Sequence, residues 1–478
     1  MKTKIFVLIL FVFCAFASFP VRAQVADLKA AIELKEAFVT NFNEANFKAI
    51  QAMVADNSKS DFPEEGFTNF LKNQFSQKGK ITASELMEDF GEVKYFRLDF
   101  EKKVSLQLSL GVKSAKEFYS FGLSGIQPKR EKPVISDNPL KNPMDLIVDK
   151  AAQNYLRDLK TVGLSIGVVK DGKFYTYNYG ETEKSNGQLP TADSFYEIGS
   201  ITKTFTGILL AQAVLDERVK LDDDIRKYLD GSFPNLEFQG QPITIKDLST
   251  HTSGIPSAPD SVDKSDSSDP WANFSREQLL EELHRVKLVR KPGENVAYSN
   301  SAVGLLGNIL EKVYGLSYEK LVEKFINKPA RMKETKINLS EAETKRFVRG
   351  HNKDKVAPPW NLPGVKGAGA LRSTTNDLLK YAQWNILAKN KAVQMAQKLQ
   401  WQSPATTFRM GLGWILYTTP SGFQKVSHSG GTGGFRTYCT IYPQLKLGIT
   451  VMSNNSDSEP NLVVDEIYMQ IAKNDHPH

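Results

Sequence analysis

The sequence predicts an α+β fold in two parts. A small N-terminal α+β domain comes first, then a larger domain with an antiparallel sheet flanked by helices and a helical region beside it. Three observations predict this. Within residues 24–126 the apolar residues recur first at helical steps and then at steps of two. A polar stretch at 127–142, punctuated by Pro128, Pro133 and Pro139, reads as a linker. Across residues 143–475 strand-like runs lie at both ends with helix-like runs between, so the sheet is assembled from the two ends.

In chain order, residues 1–23 read as a cleavable export signal. Lys2 and Lys4 precede an apolar run from Ile5 to Phe13, and Val21-Arg22-Ala23 has small side chains where a signal peptidase reads. The run is short of the roughly 20 residues that span a bilayer, and no later run is long and apolar enough. The mature chain is therefore expected to be exported, periplasmic or secreted, without a transmembrane anchor. The first domain opens with Leu28, Ile32, Leu34, Phe38 and Phe42 at mostly four-residue steps. Short helices are expected over Phe47 to Val54 and Phe67 to Phe75. Tyr95 to Phe100, Val104 to Leu110 and Phe118 to Leu123 then alternate as half-buried strands do. This order, helices and then an antiparallel sheet, resembles the nuclear transport factor 2-like or cystatin-like accessory domains.

In the second domain a helix from Met144 to Leu156 leads into a strand from Val162 to Val169. Asp171-Gly172 signals a hairpin, and Lys173 to Tyr177 returns. At the far end Phe435 to Tyr442 and Leu447 to Met452 read as strands, and Leu462 to Lys473 as a closing helix. Pro256 to Asp269 is a long Ser/Asp/Pro-rich loop.

Composition narrows the function. The formal charge of +7 over 478 residues falls to +4 once the three cations of residues 1–23 are set aside, and no Lys/Arg block appears, so nucleic acid is not expected as a partner. With Cys14 in the signal, Cys439 stands alone in a strand-like run and reads as a buried structural thiol. Six scattered histidines form no metal-binding pattern, so neither a metal nor a cofactor is expected.

Three short motifs carry chemistry. Ser200-Ile-Thr-Lys203 opens a helix-like stretch, and the three-residue offset puts both side chains on one helix face. A serine hydroxyl becomes a nucleophile when an amine of lowered pKa takes its proton. Taken alone, the same residues fit an N-cap serine and a surface lysine. Tyr298-Ser-Asn300 offers a phenol that can act as a base near cations and an amide that can hold a carbonyl. Alone, it is a core aromatic and an N-cap. His428-Ser-Gly430 runs into Gly431-Thr-Gly-Gly-Phe435 before a strand, where glycines allow close backbone approach. Alone, it is a loop histidine beside a turn. Gly163-Leu-Ser-Ile-Gly167 matches the nucleophile elbow of α/β-hydrolases, but Ser165 falls mid-strand, where that sharp turn cannot form.

With Phe195-Tyr-Glu-Ile-Gly-Ser-Ile-Thr-Lys203, Leu221-Asp-Asp223, Thr250-His-Thr-Ser-Gly254, Pro292 to Asn300 and Gly369-Ala-Leu-Arg-Ser-Thr374 all in order, residues 143–475 resemble the penicillin-recognising serine hydrolases. That family includes class C β-lactamases, D-alanyl-D-alanine carboxypeptidases, D-amino-acid peptidases or amidases, and related esterases. The resemblance implies that Ser200 is acylated, that Lys203 and Tyr298 share the base role, and that Tyr298 helps protonate the leaving group. It implies substrate binding by Asn300, His428, Ser429 and Gly430, and an oxyanion hole from the backbone N–H groups of Ser200 and Gly431. His251 reads as structural. Where the family usually has lysine, this chain has His428, which is often neutral at pH 7. That shifts the expectation from β-lactam hydrolysis toward a peptidase, amidase or esterase acting on a small-molecule or peptide substrate. A class C-type β-lactamase is the alternative. A non-catalytic penicillin-binding or ligand-sensing protein is the alternative of another kind.

Overall fold

A computed structural model of the protein describes residues 28–475, except residues 60, 91–92, 127–132, 158–160, 259–261, 263–267, 405–406 and 420. Residues 1–23, read above as an export signal, the first part of the linker, much of the Pro256–Asp269 loop, and His476 and His478 lie outside the described residues. The chain divides into two compact units, residues 1–128 and 129–478.

In the first unit the helical periodicity becomes α1 (Leu28–Asn43), α2 (Phe47–Ala52) and α3 (Glu64–Lys78). They precede a four-stranded antiparallel meander: β1 (Ile81–Phe90), β2 (Val93–Phe100), β3 (Ser105–Ser114) and β4 (Glu117–Gly125). Period-two patterning settles which face is covered. Phe96, Leu98 and Phe100 on β2 and Leu106, Leu108 and Leu110 on β3 all point into the core. Strand β1 was not foreseen, for a physical reason. It is an edge strand whose described side chains are mostly exposed apart from Ile81, so it carries no apolar alternation to read.

The second unit begins with α4 (Pro143–Leu156). Asn142 accepts from Asp145 N while the Asp145 carboxylate returns to the Asn142 N–H, a reciprocal cap, with Pro143 in the first turn. Next come β5 (Gly163–Lys170) and β6 (Lys173–Gly180), joined by the expected Asp171-Gly172 turn. The remaining long strands are β7 (Ile415–Thr418), β8 (Gln424–Gly431), β9 (Arg436–Tyr442) and β10 (Leu447–Ser453). Two short strands, Trp401–Gln402 and Arg409–Met410, precede β7 at one edge, and the order then runs β7-β8-β9-β10-β5-β6. The sheet is thus closed by pairing β10 with β5, joining the two chain ends. One correction follows. His428 to Gly431, read as a loop before a strand, are the last residues of β8 and pair with Arg436–Cys439 of β9.

Helices cover both faces. α4 and α8 (Asn461–Asp475) close one core with Leu164, Ile166, Ile449 and Val451. On the other face lie α5 (Thr202–Leu215), α6 (Asn300–Tyr314) and α7 (Thr375–Leu387). Helix α5 is buried nearly all round, from Thr202 to Ala211 without a break. Such a helix belongs in the middle of a core, and any polar side chain on its first turn is carried there with it. Among the described residues no helix is long and apolar enough to cross a membrane.

Candidate active site

Ser200 lies in a single 3-10 turn, Gly199–Ile201, that feeds α5. It does not cap the helix, because the residue before α5 is Ile201 and makes no side-chain cap. The turn needs glycine. Gly199 has φ +48°, and a Cβ there would stand 2.7 Å from Gly431 N and 2.8 Å from Gly431 O. That close backbone contact brings the end of β8 against the residue before Ser200.

Lys203, one turn on, is fully buried rather than at the surface. Its Nζ lies 2.9 Å from Ser200 Oγ, 2.7 Å from Asn300 Oδ1 and 2.7 Å from the Ala368 carbonyl oxygen. None of these neighbours carries a charge, so burial alone pushes the lysine's pKa well below its usual value. A neutral amine has two hydrogens and one lone pair. The two carbonyl-type oxygens can only accept, which leaves the lone pair facing Ser200 Oγ.

Asn300 is the first residue of α6, and the cap is Ser299, whose side chain accepts from Ala302 N. The Ala368 carbonyl reaches Lys203 because α6 carries Gly304, where a Cβ would stand 2.5 Å from Val365. A larger residue would push the 365–369 segment away.

Tyr298 donates to Ser200 Oγ at 2.6 Å. Its ring lies 4.8 Å from Lys203 Nζ and 4.4 Å from the ring of His251. As a whole the residue is 44% exposed. Even so, desolvation pushes the phenol's pKa up and the Ser200 contact offsets this only in part. Exposure tempers the size of that push, not its sign. Desolvation therefore favours the neutral phenol over a phenolate in the resting site.

His428 is buried, and its Nδ1 lies 2.6 Å from the Ser429 carbonyl oxygen and must donate to it. Burial and the neighbouring Lys203 lower its pKa to about 4, only partly offset by that hydrogen bond. It is a neutral imidazole at pH 7, with an Nε2 that has no partner among the described residues. Gly430, on the same face of β8, packs on the Ile198 carbonyl: a Cβ there would be 2.0 Å away. Ser429 and Gly431 face the other way.

Three contributors lie around these residues, of which Ser257 and Glu197 went unread in the sequence and His251 was read only as structural. His251 accepts from Ser299 N at 3.2 Å through Nδ1, and burial together with Lys203 and His428 lowers its pKa. It is structural, as expected, but what it supports is Tyr298. Ser257 lies 3.3 Å from Asn300 N, which donates to it. Glu197 is buried three residues before Ser200. It accepts from Trp360 N at 2.7 Å and lies 3.6 Å from the Arg372 guanidinium. Burial raises its pKa to about 7, against Thr432, Arg372 and Trp360 N–H, which lower it. The Trp360 indole in turn donates to the Ser268 carbonyl at 2.6 Å, tying the two segments together. Only the string Phe195 to Lys203 hinted at Glu197. The nucleophile-elbow decoy is disposed of, because Ser165 is buried inside β5 and donates to Asn178 Oδ1 at 2.8 Å. Cys439 is buried in β9, with its thiol pushed up to about 12. No group of three or more His, Cys, Asp or Glu suited to a metal ion occurs among the described residues.

The chain is similar to known proteins in both sequence and fold. The family model described as Beta-lactamase matches residues 148–473. The D-alanyl-D-alanine-carboxypeptidase/endopeptidase AmpH of Escherichia coli K12 is 29% identical over 326 residues, covering 65% of this chain and 84% of that protein. A protein named Beta-lactamase from the same strain is 27% identical over 356 residues, covering 66% and 89%. Among solved structures, the β-lactamase/D-alanine carboxypeptidase of Yersinia pestis complexed with citrate superposes with a TM-score of 0.63 at 24% identity, covering 69% of this chain and 99% of that one. The octameric penicillin-binding protein homologue of Pyrococcus abyssi gives 0.60 at 27% identity, covering 69% and 76%.

Proposed function

Because the chain belongs to the β-lactamase family of serine hydrolases, we propose that it works through an acyl-enzyme on Ser200, as a D-alanyl-D-alanine carboxypeptidase, D-amino-acid peptidase or amidase, or esterase. The observation that carries this reading is Lys203, buried, with its pKa driven well down by desolvation and its Nζ 2.9 Å from Ser200 Oγ.

In this reading Lys203 takes the Ser200 proton as Oγ attacks the carbonyl carbon, so the base is the amine. The carbonyl oxygen becomes an oxyanion beside the N–H groups of Ser200 and Gly431. As the carbon–leaving-group bond breaks, Tyr298 gives its proton to the departing nitrogen or oxygen and is reprotonated by the Lys203 ammonium. Water then repeats the sequence on the acyl-enzyme. Asn300 holds Lys203 on one side and the substrate amide on the other.

Export across a membrane is part of the proposal and rests on the pattern of residues 1–23. The N-terminal unit enters it as an accessory domain. A β-lactamase of class C type is the second reading, supported by the 27% identical relative named Beta-lactamase. Neutral His428 weighs against it, because the charge usual at that position is missing.

The test is intact mass after incubation with a fluorescent penicillin, beside Ser200→Ala. A stable adduct on Ser200, lost in the variant, supports slow deacylation and the peptidase reading. Hydrolysed drug without an adduct selects the β-lactamase. Turnover of D-amino-acid amides or short esters retained by Ser200→Ala would overturn the acyl-enzyme.

A further inference from the structure

We propose that His251 is the positioning residue for Tyr298, and that its hold on the phenol decides how well this site expels leaving groups that must be protonated as they depart. The proposal rests on the acyl-enzyme reading above, in which Tyr298 supplies that proton. A phenol can do so only while its O–H stays within hydrogen-bond reach of the reacting atoms, and here it stands 2.6 Å from Ser200 Oγ. Tyr298 lies outside α6, one residue before the cap, and is 44% exposed. The helix does not fix its ring, and the core covers only part of it.

His251 grips the chain on both sides of that tyrosine. Its carbonyl oxygen accepts from Ala297 N at 2.7 Å, and its Nδ1 accepts from Ser299 N at 3.2 Å. Its ring lies 4.4 Å from the Tyr298 ring, inclined at 35°. The next carbonyl, of Thr252, accepts from Gly293 N at 3.0 Å, so the same short segment also holds the start of the run that leads to the tyrosine.

Two local costs mark this residue. His251 has φ +61°, in the left-handed region that residues with a Cβ seldom occupy. Since Nδ1 accepts, Nε2 carries the hydrogen, and that buried N–H has no partner among the described residues. A left-handed backbone and an orphaned donor both cost stability. They fall on a residue that meets Tyr298 and both of its neighbours, where the return is a phenol held in place. Burial, with Lys203 and His428 close by, keeps the imidazole neutral, and only a neutral ring can accept from Ser299 N. A loosened phenol would fail first where the departing atom needs its proton. The substrates that depend on His251 are therefore alkyl esters and amides, whereas a nitrophenolate leaves unaided.

The test uses 4-nitrophenyl butyrate and ethyl butyrate, which share the acyl group and differ in whether the leaving oxygen needs a proton. His251→Phe keeps a ring beside Tyr298 and removes the Nδ1 acceptor. It should lose about 30-fold in kcat/KM on the ethyl ester, the scale of a displacement below about 1 Å, and less than about threefold on the nitrophenyl ester. His251→Asn can place Oδ1 where Nδ1 stands and tolerates the left-handed backbone, so it should recover most of that loss. Labelling of Ser200 by a neutral fluorophosphonate, which expels fluoride, shows that each variant is folded. If His251→Phe does not label, His251→Ala takes its place in the comparison. If none of the three labels, His251 holds the fold rather than the phenol, and the proposal fails. Equal losses on the two esters, an undiminished ethyl ester rate in His251→Phe, or no turnover of ethyl butyrate by the native protein would also overturn it. Turnover that survives Ser200→Ala would instead overturn the acyl-enzyme reading on which it stands.

Discussion

Lys35 in the N-terminal unit and Lys203 in the hydrolase unit are both buried, 5% and 0% exposed. Lys35 reaches the Glu36 carboxylate, donates to Ser84 Oγ at 2.9 Å, and lies 5.9 Å over the ring of Phe96. Its charge has a counter-charge at the mouth of the core. Lys203 has hydrogen bonds only to neutral oxygens and forms no ion pair with a carboxylate among the described residues. The same contrast runs through the two units. The first packs phenylalanine on phenylalanine, as Phe42 does with Phe38, Phe47, Phe75 and Phe100 at 5.6–5.9 Å. The second buries Lys203, His251, His428 and Glu197 close to one serine. Burying polar groups without charge partners costs stability, and proteins tolerate that cost where chemistry needs a shifted pKa. Burial alone does not mark a functional lysine. Burial without a counter-charge does.

The sharpest way to break the comparison is to make both lysines methionine. Lys203→Met should lower kcat/KM at least about a thousandfold, with no loss of melting temperature, because an apolar chain suits that cavity better than an amine. Lys35→Met should leave turnover unchanged. If Lys203→Met unfolds the protein, or keeps its turnover, the lysine is holding structure and the contrast fails.

Next in size is Phe42→Ala. Deleting a ring at the centre of four aromatic contacts should cost about 3–5 kcal/mol in the N-terminal unit. Denaturant melts followed by limited proteolysis would show it. Acylation of Ser200 should survive at concentrations where that unit is already cut, and loss of both together would mean the two units do not stand apart energetically.

The smallest effect concerns Glu197. Its folded pKa of about 7 lies above the ordinary 4.5, so the folded state holds this proton more tightly than the unfolded chain does. The stability it contributes is full below about pH 4.5 and is lost as pH rises through about 7, on the order of 3 kcal/mol in all. Glu197→Gln should flatten that stretch of the stability profile while keeping a group for Trp360 N–H to donate to. A profile unchanged by the substitution would show that Glu197 is already ionised in the folded protein.

Much of this protein could be read from its order of residues. Two parts, the helices before the small sheet, the β5–β6 hairpin and the closing helix are local patterns, and local patterns are written in apolar spacing. The serine and lysine were legible because an offset of three along a helix fixes their neighbourhood before anything else folds. Edge strand β1 was not, since an exposed strand leaves no apolar rhythm. Nor was β8, where Gly430 and Gly431 broke the strand signal because another backbone had to come close. The rest was decided in three dimensions. Whether Lys203 is charged depends on Asn300, 97 residues away, and on Ala368, 165 residues away. Whether residue 428 carries charge depends on how deeply β8 is covered. His251 reads as structural along the chain, and only the fold sets its ring 4.4 Å from that of Tyr298 and its Nδ1 against Ser299 N. Residue types and spacings along a chain set which chemistry is available, but pKa values and unspent hydrogen-bond donors are properties of surroundings, and those exist only once the chain has folded.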